Sequence, residues 1–205
     1  MQITAKQFQH NTSVVSKKQF EDHTTLYEGY IKMANLTDET LSKDAKPNTA
    51  NASGGHYRGW KKTETYSING IILHELYFQN LESCGMSHGQ GVSAPVLSSL
   101  GAKTSELING HFGSFEKWRE DFTACATSAR GWCILAYEQR TATCRNILLD
   151  THDEGNITTA FPIIVLDMYE HAYFLDYGTG KDSYINRFIN NLPWRLIEER
   201  AAIVA

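Results

Sequence analysis

The sequence predicts an α+β protein in which an N-terminal α-helical hairpin packs on a C-terminal α/β domain with a three-stranded antiparallel sheet. Three observations carry that expectation. Two long stretches between Ser16 and Leu81, separated by a segment rich in Pro, Gly and Asn, repeat apolar residues at three and four. Three later runs, GWCILAYE, CRNILLD and FPIIVLD, are short, rich in branched and aromatic residues, and separated by polar turns. The chain has 205 residues, 41% hydrophobic and 20% charged, which suffices for a real core without disulfide support.

The first helix starts at a capping box, Ser16-Lys-Lys-Gln19, in which the Ser hydroxyl and the Gln side chain satisfy each other's backbone donors. Phe20, His23, Tyr27, Tyr30, Ile31 and Ala34 then share one face, which puts His23 on the buried side. The stretch DAKPNTANASGGHYRG, Asp44 to Gly59, has no apolar period and reads as the loop of the hairpin. SINGIILHELYFQNL resumes the helical period, with Gly70 or Ile71, His74, Tyr77 or Phe78 and Leu81 along one stripe, so His74 is buried too. A second break, SCGMSHGQGVSAP, places the boundary near Gly91, between residues 1–90 and 91–205, with Pro95 in the first turn of the next helix. Ser114 caps a helix through FEKWREDFTACA; the three strands follow, and DSYINRFINNL and WRLIEERAA are helical.

A net charge of −4, with no Lys/Arg run longer than Lys61–Lys62, offers no field for gripping phosphate backbones, so nucleic acid is not an expected partner. Cys84, Cys125, Cys133 and Cys144 form no CxxC pair and no disulfide framework, which fits a reducing compartment. The opening MQITAKQFQHNTSVV has neither a charged start followed by an apolar run nor a cleavage site, and no apolar stretch approaches membrane length; the expectation is a soluble, cytoplasmic protein with no membrane partner.

The segment VLDMYEHAYFLDY concentrates Asp167, Glu170 and His171 at the end of the third strand. If the chain turns into a helix there, the i, i+4 spacing puts Asp167 and His171 on one face with Glu170 close by. Each histidine alone reads most simply as a core residue. Two long helices that each bury one His, joined by a strand end that adds Asp and a third His, make a plausible donor set for Fe, Mn or Zn. His56, His88 and His111 sit beside glycines in expected loops and are left outside this set.

With these residues in hand, the sequence resembles the iron/manganese superoxide dismutase family from about Ser16 to Arg200. DMYEHAYFLDY is similar to the family's D-x-[WY]-E-H-A-Y signature, and FGSFEKWREDF, GWCILAY and NGIILHELYF match further blocks in the same order. The resemblance implies a superoxide dismutase with His23, His74, Asp167 and His171 as metal ligands, Tyr30 as gateway tyrosine and Trp132 lining the pocket. It also implies that Glu170 reaches His171 of a second subunit, so that a homodimer is the minimum assembly, with tetramers left open.

Several positions depart from the family pattern. The His23 to Tyr30 interval is one residue short, Phe174 stands where a Tyr is usual, and Tyr27 or Leu26 replaces an interfacial His. The family places a glutamine over the solvent at the metal, either from the helix or from the loop before the third strand; here those positions are Gly70 and His152. A His there resembles members that use iron or accept either metal, so iron is the expected cofactor, with Mn as the alternative. His152 is then the residue that tunes the metal's potential. Two other readings are a non-catalytic relative kept for assembly and a zinc hydrolase built on the same four donors.

Overall fold

A computed structural model describes residues 2–10, 13–44, 46–82 and 100–204. Helix α1, Lys17–Lys43, starts where the sequence places it: Ser16 Oγ accepts the Gln19 N–H at 3.1 Å. The second half of the expected capping box does not form. Gln19 is buried, and its amide instead donates to the His171 carbonyl at 2.5 Å and accepts from the Leu175 N–H at 3.1 Å. The Ser16 N–H goes to Asp176 Oδ2. Buried backbone groups in an irregular segment need partners, so Gln19 serves the chain around His171 rather than its own helix start.

Helix α2, His56–Leu81, begins earlier than the expected loop end at Gly59. The chain enters it through a 3-10 turn at Pro47–Thr49 and through Gly55, whose φ of +98° and close approach to the Thr49 carbonyl exclude a side chain. His56 is therefore in a helix, exposed, and accepts the Trp60 indole N–H at 3.2 Å. His111 is likewise helical and exposed, in the last turn of α3 (Ala102–Phe112). His88, Cys84, Pro95 and the boundary near Gly91 lie outside the described residues.

The hairpin closes on aromatic contacts: Phe20 and Tyr27 of α1 lie 5.3 and 5.8 Å from the Phe78 ring of α2, and Phe8 of the N-terminal arm covers the same ring at 5.2 Å. Helix α4, Phe115–Ser128, is capped by Ser114 as expected. Strands β1 (Trp132–Glu138), β2 (Thr143–Leu149) and β3 (Ala160–Asp167) form one antiparallel sheet in the order β2-β1-β3. β1 is central and buried along nearly its whole length, which is why its residues do not alternate. α4 packs on β1 and β2, and α2 packs on β3.

The segment after β3 corrects one expectation. It does not enter a helix at once: Glu170–Ala172 is a 3-10 turn, followed by the short α5 (Phe174–Tyr177), then α6 (Lys181–Asn190) and α7 (Trp194–Val204). α7 buries Arg200, whose guanidinium binds the Asn80 side chain and the Ile163 carbonyl, both at 2.9 Å, and Gln79 Oε1 at 2.6 Å. Burial lowers its pKa to about 10, so it stays charged and ties α7 to α2 and β3 through charge-assisted bonds. Among the described residues, no helix is long and apolar enough to cross a membrane.

Candidate metal centre

Four side chains from four elements converge. His23 comes from α1, His74 from α2, Asp167 from the last position of β3, and His171 from the 3-10 turn. From Asp167 Oδ2 the distances are 3.2 Å to His23 Nε2, 3.3 Å to His171 Nε2 and 3.7 Å to His74 Nε2. All four donor atoms lie within 4.8 Å of one another. Donors bound to one ion at about 2.0–2.2 Å stand roughly 3–4 Å apart, so the set fits a single transition-metal ion.

Hydrogen bonding leaves the right atoms free. His74 Nδ1 is 2.6 Å from the Gly70 carbonyl, and only an N–H can serve a carbonyl, so Nε2 carries the lone pair. His23 Nε2 and His74 Nε2 are buried and, among the described residues, make no hydrogen bond. At His74 the carboxylate is too far; at His23 it is near, but the alignment is not that of an N–H donating to it. Asp167 Oδ1 accepts the Tyr169 N–H at 2.9 Å, and the Asp167 carbonyl accepts the Tyr184 hydroxyl at 3.0 Å, which fixes the carboxylate and leaves Oδ2 facing the histidines.

The approach of His171 to Asp167 owes nothing to helical spacing. The Tyr169 N–H bond to Asp167 turns the chain, and the Ala172 N–H to Tyr169 carbonyl bond at 3.0 Å closes the next turn. Gln19 then anchors the His171 carbonyl from α1.

Charge follows burial. Burial alone pushes the Asp167 carboxyl up, but the His171 hydrogen bond and the close His23 imidazole outweigh it and hold it well below the usual range. Burial pushes His74 down to about 3, with His23 adding to the effect, and lowers His23 against the pull of Asp167. His152, also driven chiefly by burial, falls to about 4.

These shifts set the acid behaviour of the metal-free protein. Below the ordinary histidine value of 6.5, the unfolded chain takes up protons that folded His23, His74 and His152 refuse. Stability therefore falls on acidification, by about 1.4 kcal/mol per pH unit for each such histidine. The decline continues until His152 titrates near pH 4 and His74 near pH 3. The Asp167 contribution runs in the same direction and is lost only as pH falls through its own lowered pKa. Urea denaturation of the metal-free protein in half-unit pH steps measures this; a flat profile from pH 6.5 to about 4.5 contradicts neutral buried histidines.

A second set of residues surrounds the cluster. The sheet register pairs Trp132 with Asp167 on one side and with Leu149 on the other, so Trp132 stands between the end of β3 and the loop carrying His152. Its indole N–H donates to His152 Nδ1 at 2.9 Å. An indole only donates, so His152 carries its proton on Nε2, which is buried and has no hydrogen-bond partner among the described residues. Gly70 makes the room: a Cβ there would lie 3.1 Å from the Tyr30 ring and 3.2 Å from His152. The absent side chain on α2 and the histidine from the loop thus share one space.

Tyr30 lies 5.2 Å from the His74 ring and 4.8 Å from the His152 ring, and burial raises its pKa. Seven residues are about two turns of helix, so the shortened interval still leaves Tyr30 on the His23 side of α1. Tyr27 and Leu26 separate: Tyr27 is buried, with its hydroxyl donating to Glu75 at 2.9 Å, whereas Leu26 lines a surface cleft.

Glu170 is not brought to the cluster within this chain. It is exposed, and among the described residues its carboxylate has no hydrogen-bond or ion-pair partner. Two residues at the site escape pattern reading: Gln19, which looks like a helix cap, and Tyr66, whose ring lies 4.5 Å from that of His152 but which falls in a polar stretch of α2. Tyr169 stacks on His171 at 5.2 Å and 15°; its place between Asp167 and His171 was the available signal.

A family model described as iron/manganese superoxide dismutases, C-terminal domain, matches residues 100–200. A manganese superoxide dismutase of Halobacterium salinarum is 33% identical over 182 residues, which cover 87% of this chain and 82% of the relative. A manganese superoxide dismutase of Haloferax volcanii is 32% identical over 172 residues, 84% of this chain and 79% of the relative. An iron superoxide dismutase of Aquifex pyrophilus is 34% identical over 193 residues, 93% of this chain and 85% of the relative.

Proposed function

The chain belongs to the iron/manganese superoxide dismutase family, and on that premise we propose that His23, His74, Asp167 and His171 hold one Fe or Mn ion at which superoxide is converted to O₂ and H₂O₂. The observation that carries this reading is the convergence of three imidazoles and one carboxylate, all four donors within 4.8 Å of one another. When bound, the ion supplies exchange of one electron between its +2 and +3 states, which zinc does not. One superoxide loses an electron and leaves as O₂; a second gains one, takes up two protons and leaves as H₂O₂.

The protein's part is to hold charge and protons in place. Neutral His23 and His74 offer lone pairs, and Asp167 contributes the single negative charge. Trp132 fixes the His152 tautomer, so that His152 presents a buried N–H donor beside the cluster. Tyr30 reaches the site from a cleft of about 610 Å³ that opens between α1, α2 and the loop 151–154. The relatives carry either metal in their names. Iron is the reading we favour here, supported by His152 in the space that Gly70 leaves.

We further assign a homodimer in which Glu170 meets His171 of the other subunit. Its free carboxylate and the neighbouring Phe174 and Leu175, 49% and 59% exposed, support such a face. A cytoplasmic location is supported by the free thiols of Cys125, Cys133 and Cys144.

The test is superoxide removal by metal-free protein reconstituted separately with Fe and Mn, expressed per bound ion. Activity with iron alone is the expected result, and comparable activity with both metals replaces the iron assignment by use of either. Full binding without dismutation by either metal returns the chain to the non-catalytic assembly reading.

A further inference from the structure

Tyr66 has no role in the mechanism above, yet it stands at the mouth of the site. It lies on α2, eight residues before His74, and lines the same cleft of about 610 Å³ as Tyr30. Its ring is 4.5 Å from the His152 ring, nearer than Tyr30 at 4.8 Å, Tyr169 at 5.4 Å or Trp132 at 5.7 Å. It also faces Tyr30 at 6.1 Å. His152 is fully buried while Tyr66 is 37% exposed. One side of the Tyr66 ring therefore covers His152, and the other meets the cleft. Burial raises the phenols of both Tyr30 and Tyr169, and Tyr66 adds to each shift.

The His152 ring that it packs against carries a buried N–H, Nε2, which has no hydrogen-bond partner among the described residues. Any small anion that reached it would gain a hydrogen bond in a desolvated setting. We propose that Tyr66 is the specificity-determining wall of the mouth: it closes His152 off from the cleft and, with Tyr30, leaves an opening that passes a diatomic anion and turns larger anions away. The inference rests on the dismutase reading for its substrate, but the covering of His152 by Tyr66 is testable without it.

Two variants of the full-length, metal-loaded protein separate ring from hydroxyl. Tyr66→Ala removes the cover, and Tyr66→Phe keeps it. The first readout is hydrogen–deuterium exchange at the C2–H of the His152 ring, which follows solvent access, measured by peptide mass spectrometry. His152 is expected to exchange severalfold faster in Tyr66→Ala than in the parent, with Tyr66→Phe close to the parent. The second is binding of nitrate, followed by the visible spectrum of the bound metal, expected to tighten about tenfold in Tyr66→Ala, the worth of one hydrogen bond to a charged group.

Unchanged His152 exchange and unchanged nitrate binding in Tyr66→Ala overturn the proposal, as does equal opening by Tyr66→Phe, which would assign the effect to the hydroxyl. An inactive parent protein whose His152 is nevertheless unmasked by Tyr66→Ala refutes the dismutase reading and leaves the wall standing.

Discussion

His171→Ala is expected to lose bound metal and dismutase activity together. Three donors then remain, and in the metal-free protein the loss also falls on Asp167, because the His171 contact is the leading one that keeps this buried carboxyl ionised until a metal takes the imidazole lone pair. Without it, burial pushes the Asp167 pKa upward, and a protonated Asp binds metal poorly. The variant should hold well under one tenth of the parent's metal after dialysis, with activity at background, since losing even an outer partner of a ligand costs roughly 10- to 100-fold. The fold should survive: the His171 side chain is 32% exposed, and Gln19 anchors the backbone carbonyl of residue 171 rather than the ring. Metal content by mass spectrometry, superoxide removal and far-ultraviolet circular dichroism on one sample decide the matter. A folded variant with its metal and full activity removes His171 from the ligand set.

The second large effect is expected at His152. His152→Ala should keep the four donors and their metal yet lose about 10- to 100-fold in activity per bound ion. The reason is positional: the His152 ring, which carries the buried Nε2–H, borders the space left by Gly70, beside the Tyr30 and His74 rings. The variant also leaves the Trp132 indole N–H without its acceptor in a dry environment, which costs roughly 1–3 kcal/mol of stability. A midpoint potential shifted by tens of millivolts, measured by redox titration alongside activity, separates loss of tuning from loss of fold, since 59 mV is a tenfold change for one electron. Full activity per ion with an unmoved potential would show that His152 is a core histidine and nothing more.

These two residues also show where sequence reading succeeds and where it stops. His23 and His74 were legible because helical periodicity assigns each to a buried face, and that periodicity is written in the few residues around it. Asp167 was legible as the end of an apolar strand. The helical spacing that suggests His171 beside Asp167 is one the chain does not adopt; the proximity to Asp167 arises from a turn held by the Tyr169 N–H. Gln19 fits a capping box by type and position, but its side chain is claimed by backbone groups more than 150 positions away.

The elements and their faces, α1 and α2 with one buried histidine each and three short strands after them, were determined by the sequence itself, because helix and strand periods depend on neighbours along the chain. Only the tertiary structure decided which atoms meet. That His152 fills the space of a missing side chain at Gly70, that its proton sits on Nε2 because Trp132 donates to Nδ1, and that Tyr66 covers it are contacts between α2, β1 and a loop. Their geometry is set by close packing and by the need to satisfy buried polar groups across the fold, and neither constraint leaves a local pattern in the chain.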